Sequence, residues 1–391
     1  MQHYSGNQAY LKDLNMMSTL RQIRTHGLIS RAQLADILRL NRSTITSIVN
    51  ELLERKLVKE VGSGASKSGR PPTLIQFNNE IAYSVCVDMG SRQTKIYITD
   101  LGGKLFYEHS IDHCSKNPRA QIFRIIKIIK EKLAELPAKE LGLFGIGIAV
   151  TGPVIDKKIV SSHNLEWNDV PVYNYFSEEF DCPIIIDNDA NAGLIAENYF
   201  GIAIGEQNFC YLRIGRGISA GIFVNGEVYR GSEGFAGRIG HMSVDKYGKK
   251  CICGNRGCLE TYVSEKALIE RYLELTGSHA SIDQFQTREI FNLINQSDTN
   301  AMIALHEMAE YLGMGIANII NFLNPNLIVI GGSITSISSK LFNPLNNIVQ
   351  QSKLALFKGN IKFSSLGENS IRLGMISLVL DNIFSTPTIK V

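Results

Sequence analysis

The sequence predicts a small winged helix-turn-helix head (α+β) followed by a larger α/β body of two similar lobes. Three observations carry that expectation. Residues 1–78 run as helix-period segments and then two β-like segments around a basic Gly/Pro-containing linker. Two later stretches, from 83 and from 209, each open with a β-hairpin pattern and a Gly-bearing turn. Charge divides the same way: 1–78 holds eleven Lys and Arg against five Asp and Glu, whereas the rest holds 29 against 32. At 391 residues the chain exceeds one typical domain, and 44% hydrophobic with 20% charged residues is a globular composition. No apolar run approaches the ~18 residues of a membrane span, and the start lacks the basic end and apolar centre of a signal peptide. A cytoplasmic location with no membrane partner is therefore expected.

In the head, Ser30 followed by Gln33 forms a capping box that starts a helix, with Leu34, Ile37 and Leu38 as its buried stripe. After the turn LRLN, a second helix buries Ile45, Ile48, Val49, Leu52 and Leu53. Its other face carries Ser43, Thr44, Thr46, Ser47 and Asn50, with Arg42 at the start. Short polar groups and an arginine on the N-terminal turns suit base edges and phosphates in a major groove. An upstream segment with Leu14, Met17, Leu20 and Ile23 would complete a three-helix unit. The runs LVKEVG and TLIQFN read as a wing, whose tip places Lys67 and Arg70 within reach of a minor groove. With Arg31 at the head of the first helix, these residues are the expected contacts to double-stranded operator DNA. The competing reading is a small helical docking domain with a basic linker.

In the body, YSVCVDMGSRQTKIYITD is a hairpin holding Asp88, followed by LFYEHSI, a helix over 120–135 and the apolar strand GLFGIGIAV ending at TGPV. The strand CPIII stops at DNDAN, where Asn191 or a neighbour starts a helix. Carboxylates at strand ends mark the place where open α/β sheets bind ligands. The second set opens with FCYLRIGRGISAGIFV and ends with a long helix, in which Gly313 and Gly315 permit close packing, and the strand LIVIGG. The expected units are 1–78, a first lobe over 79–200 completed by the C-terminal segment, and a second lobe over 201–391.

Four of the seven cysteines are scattered, and three cluster in HMSVDKYGKKCICGNRGCLE. Cys251, Cys253 and Cys258, with His241 ten residues upstream of the first, offer three thiolates and an imidazole, the closed tetrahedral set of structural zinc. Gly254 and Gly257 allow the tight knuckle this requires. Free surface thiols are the alternative.

The segments VDMG, GPV, DNDANA, RIGH, CICGNRGCLE and LIVIGG stand in the order and spacing of the ROK family of repressors, open reading frames and sugar kinases. With the winged head, the chain resembles the repressor branch, and CGNRGCLETYVSEKAL resembles the xylose-operon repressors in particular. The resemblance implies an actin-like, ribonuclease H-like body, a structural Zn2+ on His241, Cys251, Cys253 and Cys258, and a sugar cleft between the lobes. It places sugar contacts on Asn164, Asn188, Asp189, His241 and Glu260, with Asp189 matching the general base of the family's kinases.

Two departures shape the expected function. The kinase phosphate loops need glycines and a hydroxyl near the phosphates. Here the first reads Asp88-Met89-Gly90-Ser91-Arg92 and the second Gly215-Arg216-Gly217-Ile218-Ser219-Ala220-Gly221, adding bulk and arginines where a nucleotide would lie. No enzyme activity is expected. The family's Glu-x-Gly-His reads Arg238-Ile239-Gly240-His241. Arg238 either pairs with Asp189 or Glu260, reshapes the pocket for a smaller sugar, or accepts a phosphorylated or acidic one. The expectation is a repressor of a carbohydrate-utilisation operon, a homodimer or homotetramer responsive to a sugar or sugar phosphate. A sugar kinase with an accessory DNA-binding head and a zinc-responsive regulator are the alternatives.

Overall fold

The computed structural model describes residues 8–63, 71–90, 92–112, 117–162, 165–282, 284–351 and 359–385. The head contains α1 (Gln8–His26), β1 (Ile29–Ser30), α2 (Arg31–Leu38), α3 (Arg42–Glu54), β2 (Val58–Ser63) and β3 (Thr73–Phe77). The first lobe follows with β4 (Tyr83–Met89), β5 (Gln93–Asp100), β6 (Leu105–Asp112), α4 (Pro118–Glu135) and β7 (Leu143–Val150). A small ribbon of β8 (Val154–Ile155), β9 (Lys158–Ser162) and β10 (Trp167–Val170) leads to α5 (Val172–Ser177), β11 (Ile184–Asn188) and α6 (Asp189–Phe200). The second lobe begins with β12 (Phe209–Ile214), β13 (Ile218–Val224) and β14 (Glu227–Val228). Helices α7 (Glu265–Thr276), α8 (Thr287–Asn295) and α9 (Thr299–Leu323) precede β15 (Leu327–Gly331), α10 (Ser338–Gln351), β16 (Asn360–Phe363) and α11 (Asn369–Ser385).

The winged helix-turn-helix is formed as its sequence signals indicate. Ser30 caps α2 and Gln33 closes the box, while Arg39 in the left-handed region, with φ 53°, turns the chain toward α3. Strands β2 and β3 pair antiparallel, and β1 adds to β3. Lys67 and Arg70, expected at the wing tip, lie outside the described residues. Several expected core positions differ, and Leu14 and Leu53 are only half-buried. Ile37 is 45% exposed because α2 buries Leu34 and Ala35, with Leu38 only half-buried. On α1 the buried residues are Met16, Thr19, Leu20 and Ile23, so Met16 takes the place expected for Met17.

The two lobes share one topology. In the first, β4-β5-β6 form an antiparallel meander and β7 and β11 add in parallel on the other side of β4. In the second, β12-β13-β14 form the meander and β15 and β16 add in parallel beside β12. This repeated order is the ribonuclease H-like, actin-like fold. Each sheet is covered on its outer face, the first by α4 and α5 and the second by α7 to α10. Between the sheets lie α6 and α11, which share a core with Cys86, Tyr97, Tyr211 and Val329. The two helices approach closely because a Cβ on Gly374 would overlap the Ala192 carbonyl.

Helix α11 also joins the head to the body. Its Ile376 and Leu380, with Leu101, enter the apolar core built on Leu20, Ile23 and Phe77 of the head. Beside that core, Arg24 of α1 has a 7% exposed side chain and pairs with Asp381 at 3.6 Å. The guanidinium lies over the Tyr199 and Phe77 rings, 5.1 and 5.8 Å from their centroids, and donates to Ser377 Oγ. The Tyr199 hydroxyl donates to Asp381. A second ion pair, Lys56 with Glu140, ties the end of α3 to the first lobe.

Candidate functional site

The cleft lies at the ends of β7, β11, β12 and β13, where strand termini leave backbone groups free to be shaped by side chains. Strand β7 stops at Thr151-Gly152-Pro153, and Thr151 Oγ1 lies 3.1 Å from Ser162 Oγ on β9. Strand β11 stops at Asn188, which is the N-cap of α6; Asn191, expected as a possible start, is already inside the helix. The Asn188 Oδ1 accepts from the Ala190 N–H and its Nδ2 donates to the Gly152 carbonyl. Its side chain therefore braces the loop and caps the helix as well as lining the cleft.

Asp189 begins α6 and is 3% exposed. Burial pushes its carboxyl above the usual range, against the pull of Arg213 and the Ala190 N–H. Arg213, on β12 of the other lobe, places Nη1 3.1 Å from Asp189 Oδ2. Of the alternatives read for Arg238, pairing with Asp189 is taken up instead by Arg213, and Arg238 lies over the Phe235 ring at 5.6 Å. Next to Asp189, Asp187 pairs with Arg230 and accepts from Asn191. Asp189, Arg238, His241 and Glu260 all line one cavity of about 110 Å3. At ~10–15 Å3 per water position this is room for about seven to eleven, which suits a single sugar ring. Asn164 lies outside the described residues.

His241 also faces the cysteines. Its Nδ1 is 3.7 Å from Cys251 Sγ, Cys253 and Cys258 Sγ are 3.6 Å apart, and all four ligand atoms lie within 4.8 Å of one another. Zn–S bonds of about 2.3 Å and Zn–N bonds of about 2.0–2.1 Å give tetrahedral edges of about 3.8 Å between sulfurs and about 3.6 Å from sulfur to nitrogen. The 3.6 and 3.7 Å separations match those edges, so the donor set fits a metal ion. Gly254 and Gly257 make the knuckle with φ of 92° and 64°, and a Cβ on Gly257 would overlap the Asp245 carbonyl. Glu260 follows directly in a short helical turn, and Ile252, between two of the cysteines, reaches the cleft wall.

A second cavity of about 230 Å3 opens beyond Arg213, lined by Asp88, Arg92, Lys95, Arg216 and Glu368. Asp88 is pushed up to about 6, by burial first, then by Asp189 and Glu368 against Arg213 and Lys95. Of the positions read as altered phosphate loops, Arg92 and Arg216 line this cavity, Ser219 lines the first, and Ala220 is buried within β13. Ser91 lies outside the described residues. In the head, Arg42, Ser43, Thr46, Ser47 and Asn50 are exposed on one face of α3, while Thr44 is half-buried. Arg31 is committed to Glu60 at 2.9 Å and to Asn50 at 3.3 Å. The residue that the sequence reading passed over is Arg213. Its signal was a lone charge at the carboxyl end of the apolar run FCYLRI.

Comparison with known proteins agrees with this architecture. A relative named xylose repressor, from Bacillus subtilis, is 35% identical over 380 residues, covering 96% of this chain and 97% of its own. The crystal structure of a ROK family transcriptional regulator, a homologue of the Escherichia coli MLC protein, superposes with TM-score 0.81 at 25% identity over 96% of this chain and 98% of that one. A ROK family glucokinase from Streptomyces griseus superposes with TM-score 0.66 at 22% identity, covering 98% of the glucokinase but 76% of this chain. The ROK family model matches residues 84–382, and on these grounds the chain belongs to the ROK family.

Proposed function

We propose that the protein is a DNA-binding transcriptional repressor of a carbohydrate-utilisation operon, modulated by a sugar or sugar derivative in the cleft around Asp189. The observation that carries this reading is coverage. The similarity to the xylose repressor runs through the head, whereas the glucokinase is spanned almost whole while about a quarter of this chain has no counterpart in it. A kinase body alone does not account for a head with an exposed polar α3 face and Arg42 at its start. Operator DNA would meet α3 and the wing, and a homodimer or homotetramer would present two heads to a palindromic site.

We assign Zn2+ to His241, Cys251, Cys253 and Cys258, in a structural role. The ion would supply a cross-link that fixes the knuckle; His241 and Glu260 then present fixed polar groups to sugar hydroxyls. Asp189 accepts hydroxyl protons in hydrogen bonds, and Asn188 holds the loop beneath it. Arg92 and Arg216 line the second cavity, and their bulk at the positions matching the kinase phosphate loops supports the reading that the cleft senses sugar without phosphorylating it.

The test is direct. A duplex selected from a random pool is titrated with the protein, then with D-xylose, D-glucose and other common sugars. The reading predicts that one sugar class alters DNA affinity, that Arg42→Ala weakens binding and lowers the salt slope by about 1, and that no sugar elicits ATP turnover. Sugar-dependent ATP consumption abolished by Asp189→Asn would replace it with the kinase reading. DNA affinity that follows zinc occupancy across buffered free zinc would point to a metal-responsive regulator, and affinity that stays flat while bound zinc remains stoichiometric would remove that reading.

A further inference from the structure

Among the described residues, Arg213 is the one cationic side chain that lines both the first cavity, with Asp189, and the second, with Asp88. It sits on β12, in register with Ser219 of β13 and Gly331 of β15, and so belongs to the second lobe. The two carboxylates belong to the first: Asp88 lies near the end of β4, and Asp189 follows β11. The guanidinium thus spans the cleft from one lobe to the acids of the other. Its Nε is buried with no acceptor among the described residues, which leaves one donor for an incoming oxygen.

We propose that Arg213 is a specificity-determining and positioning residue of the sugar cleft: it clamps Asp189 across the lobes as an ionised acceptor and closes the passage between the two cavities. This rests on the assignment of the cleft to a sugar. Two consequences follow from the geometry. A ligand hydroxyl seated on Asp189 meets a fixed guanidinium on its far side, so the ligand that fits best carries an acceptor oxygen next to that hydroxyl. A phosphoryl group in the second cavity would have to pass the same guanidinium to reach the hydroxyl, and the residue that blocks it is not in either glycine loop.

The clamp has a signature in pH. Burial raises the proton affinity of both Asp88 and Asp189, the Asp189 charge raises that of Asp88 further, and Arg213 opposes the rise at both. The other charged groups around them, among the described residues, are Lys95, Glu368, Arg92, Arg216 and Glu265 in the second cavity, Arg238, His241 and Glu260 in the first, and the Asp187–Arg230 pair beside Asp189. All of these stay in place when only Arg213 changes. Without the guanidinium the pair holds a proton to higher pH, and a protonated Asp189 is a poorer acceptor. The pH below which sugar binding weakens therefore moves upward.

The experiment is calorimetric titration of the full chain with D-xylose and with D-glucose from pH about 5 to about 8, for wild type, Arg213→Lys and Arg213→Gln. The expected result is a binding midpoint at least about one pH unit higher in Arg213→Gln, equal to about a tenfold loss at pH values below both midpoints, with Arg213→Lys close to wild type. A profile in Arg213→Gln that superimposes on wild type overturns the proposal, as does a lysine variant that is folded yet behaves like the glutamine one. If neither sugar binds wild type at any pH, the sugar assignment fails and Arg213 is judged on the sugar-free melting temperature against pH. There, a stability gain on acidification that sets in at higher pH in Arg213→Gln supports the clamp, and an unchanged onset overturns it. Should Arg213→Gln not fold, the same melting profile of Arg213→Lys against Asp88→Asn decides: only the asparagine variant should lose the gain on acidification, and equal loss in both overturns the proposal.

Discussion

Leu380→Ala tests whether head and body are one cooperative unit. Leu380 is fully buried in the core formed by α1, α2, α3 and α11. Truncating such a leucine costs about 2–5 kcal/mol, the transfer term plus the cavity left behind. If the core of the head melts together with the body, the unfolding entropy belongs to the whole chain. At about 2.1 cal/mol/K per residue, 391 residues give about 0.8 kcal/mol/K, so Tm falls by about 2–6 °C in a single transition. If the head instead melts alone, a unit of about 80 residues loses about 4–8 °C per kcal/mol and its own transition drops by ~8 °C or more. Scanning calorimetry of wild type and variant separates the two cases. Two resolved transitions, with only the smaller one displaced, would refute the shared core as an energetic unit.

Metal removal should act on the cleft through the knuckle: chelation, or Cys258→Ser, is expected to lower bound zinc below stoichiometric and to weaken sugar binding at least tenfold, measured by metal analysis and calorimetry on the same sample. Asp88→Asn probes its raised carboxyl. Because the folded protein binds this proton up to about pH 6 and the unfolded chain only to about 4, the ionised group destabilises the fold above pH 6, and stability from this group is gained as pH falls from about 6 to about 4. The asparagine variant should lose that gain, up to about 3 kcal/mol, in urea melts across this window. Arg24→Met removes a buried cation held by Asp381, Ser377 and two aromatic rings; a loss of about 1–4 kcal/mol is expected, smaller in Arg24→Lys, from denaturant titration.

Elements that depend on local sequence were the legible ones. The Ser30–Gln33 box and the stripe Ile45, Ile48, Val49, Leu52 write their helices into adjacent residues, and the repeated hairpins at 83 and 209 anticipate the duplicated sheets. The metal cluster was legible because its ligands sit on one short knuckle. Positions decided by distant partners were not. Ile37 looks buried by period, but α2 is short and turns Ala35 inward against its neighbours. Asn188 reads as a strand end, whereas its cap bond to Ala190 and its bond to Gly152 appear only when β7 and β11 lie side by side. Arg213 needs an acid from the other lobe, which no periodicity in FCYLRI can announce.

The placement of α11 has a bearing on how the protein is made. Strands β4, β7 and β11 leave the ribosome long before residues 369–385, yet the faces they turn toward the second lobe, and the underside of the head, are covered by that helix. Until Ile376 and Leu380 arrive, a nascent chain carries a basic winged head on an uncovered apolar surface. The head acquires its seat only when the second lobe has been made, so a chain stalled anywhere within that lobe is a client for a chaperone before it can be a regulator.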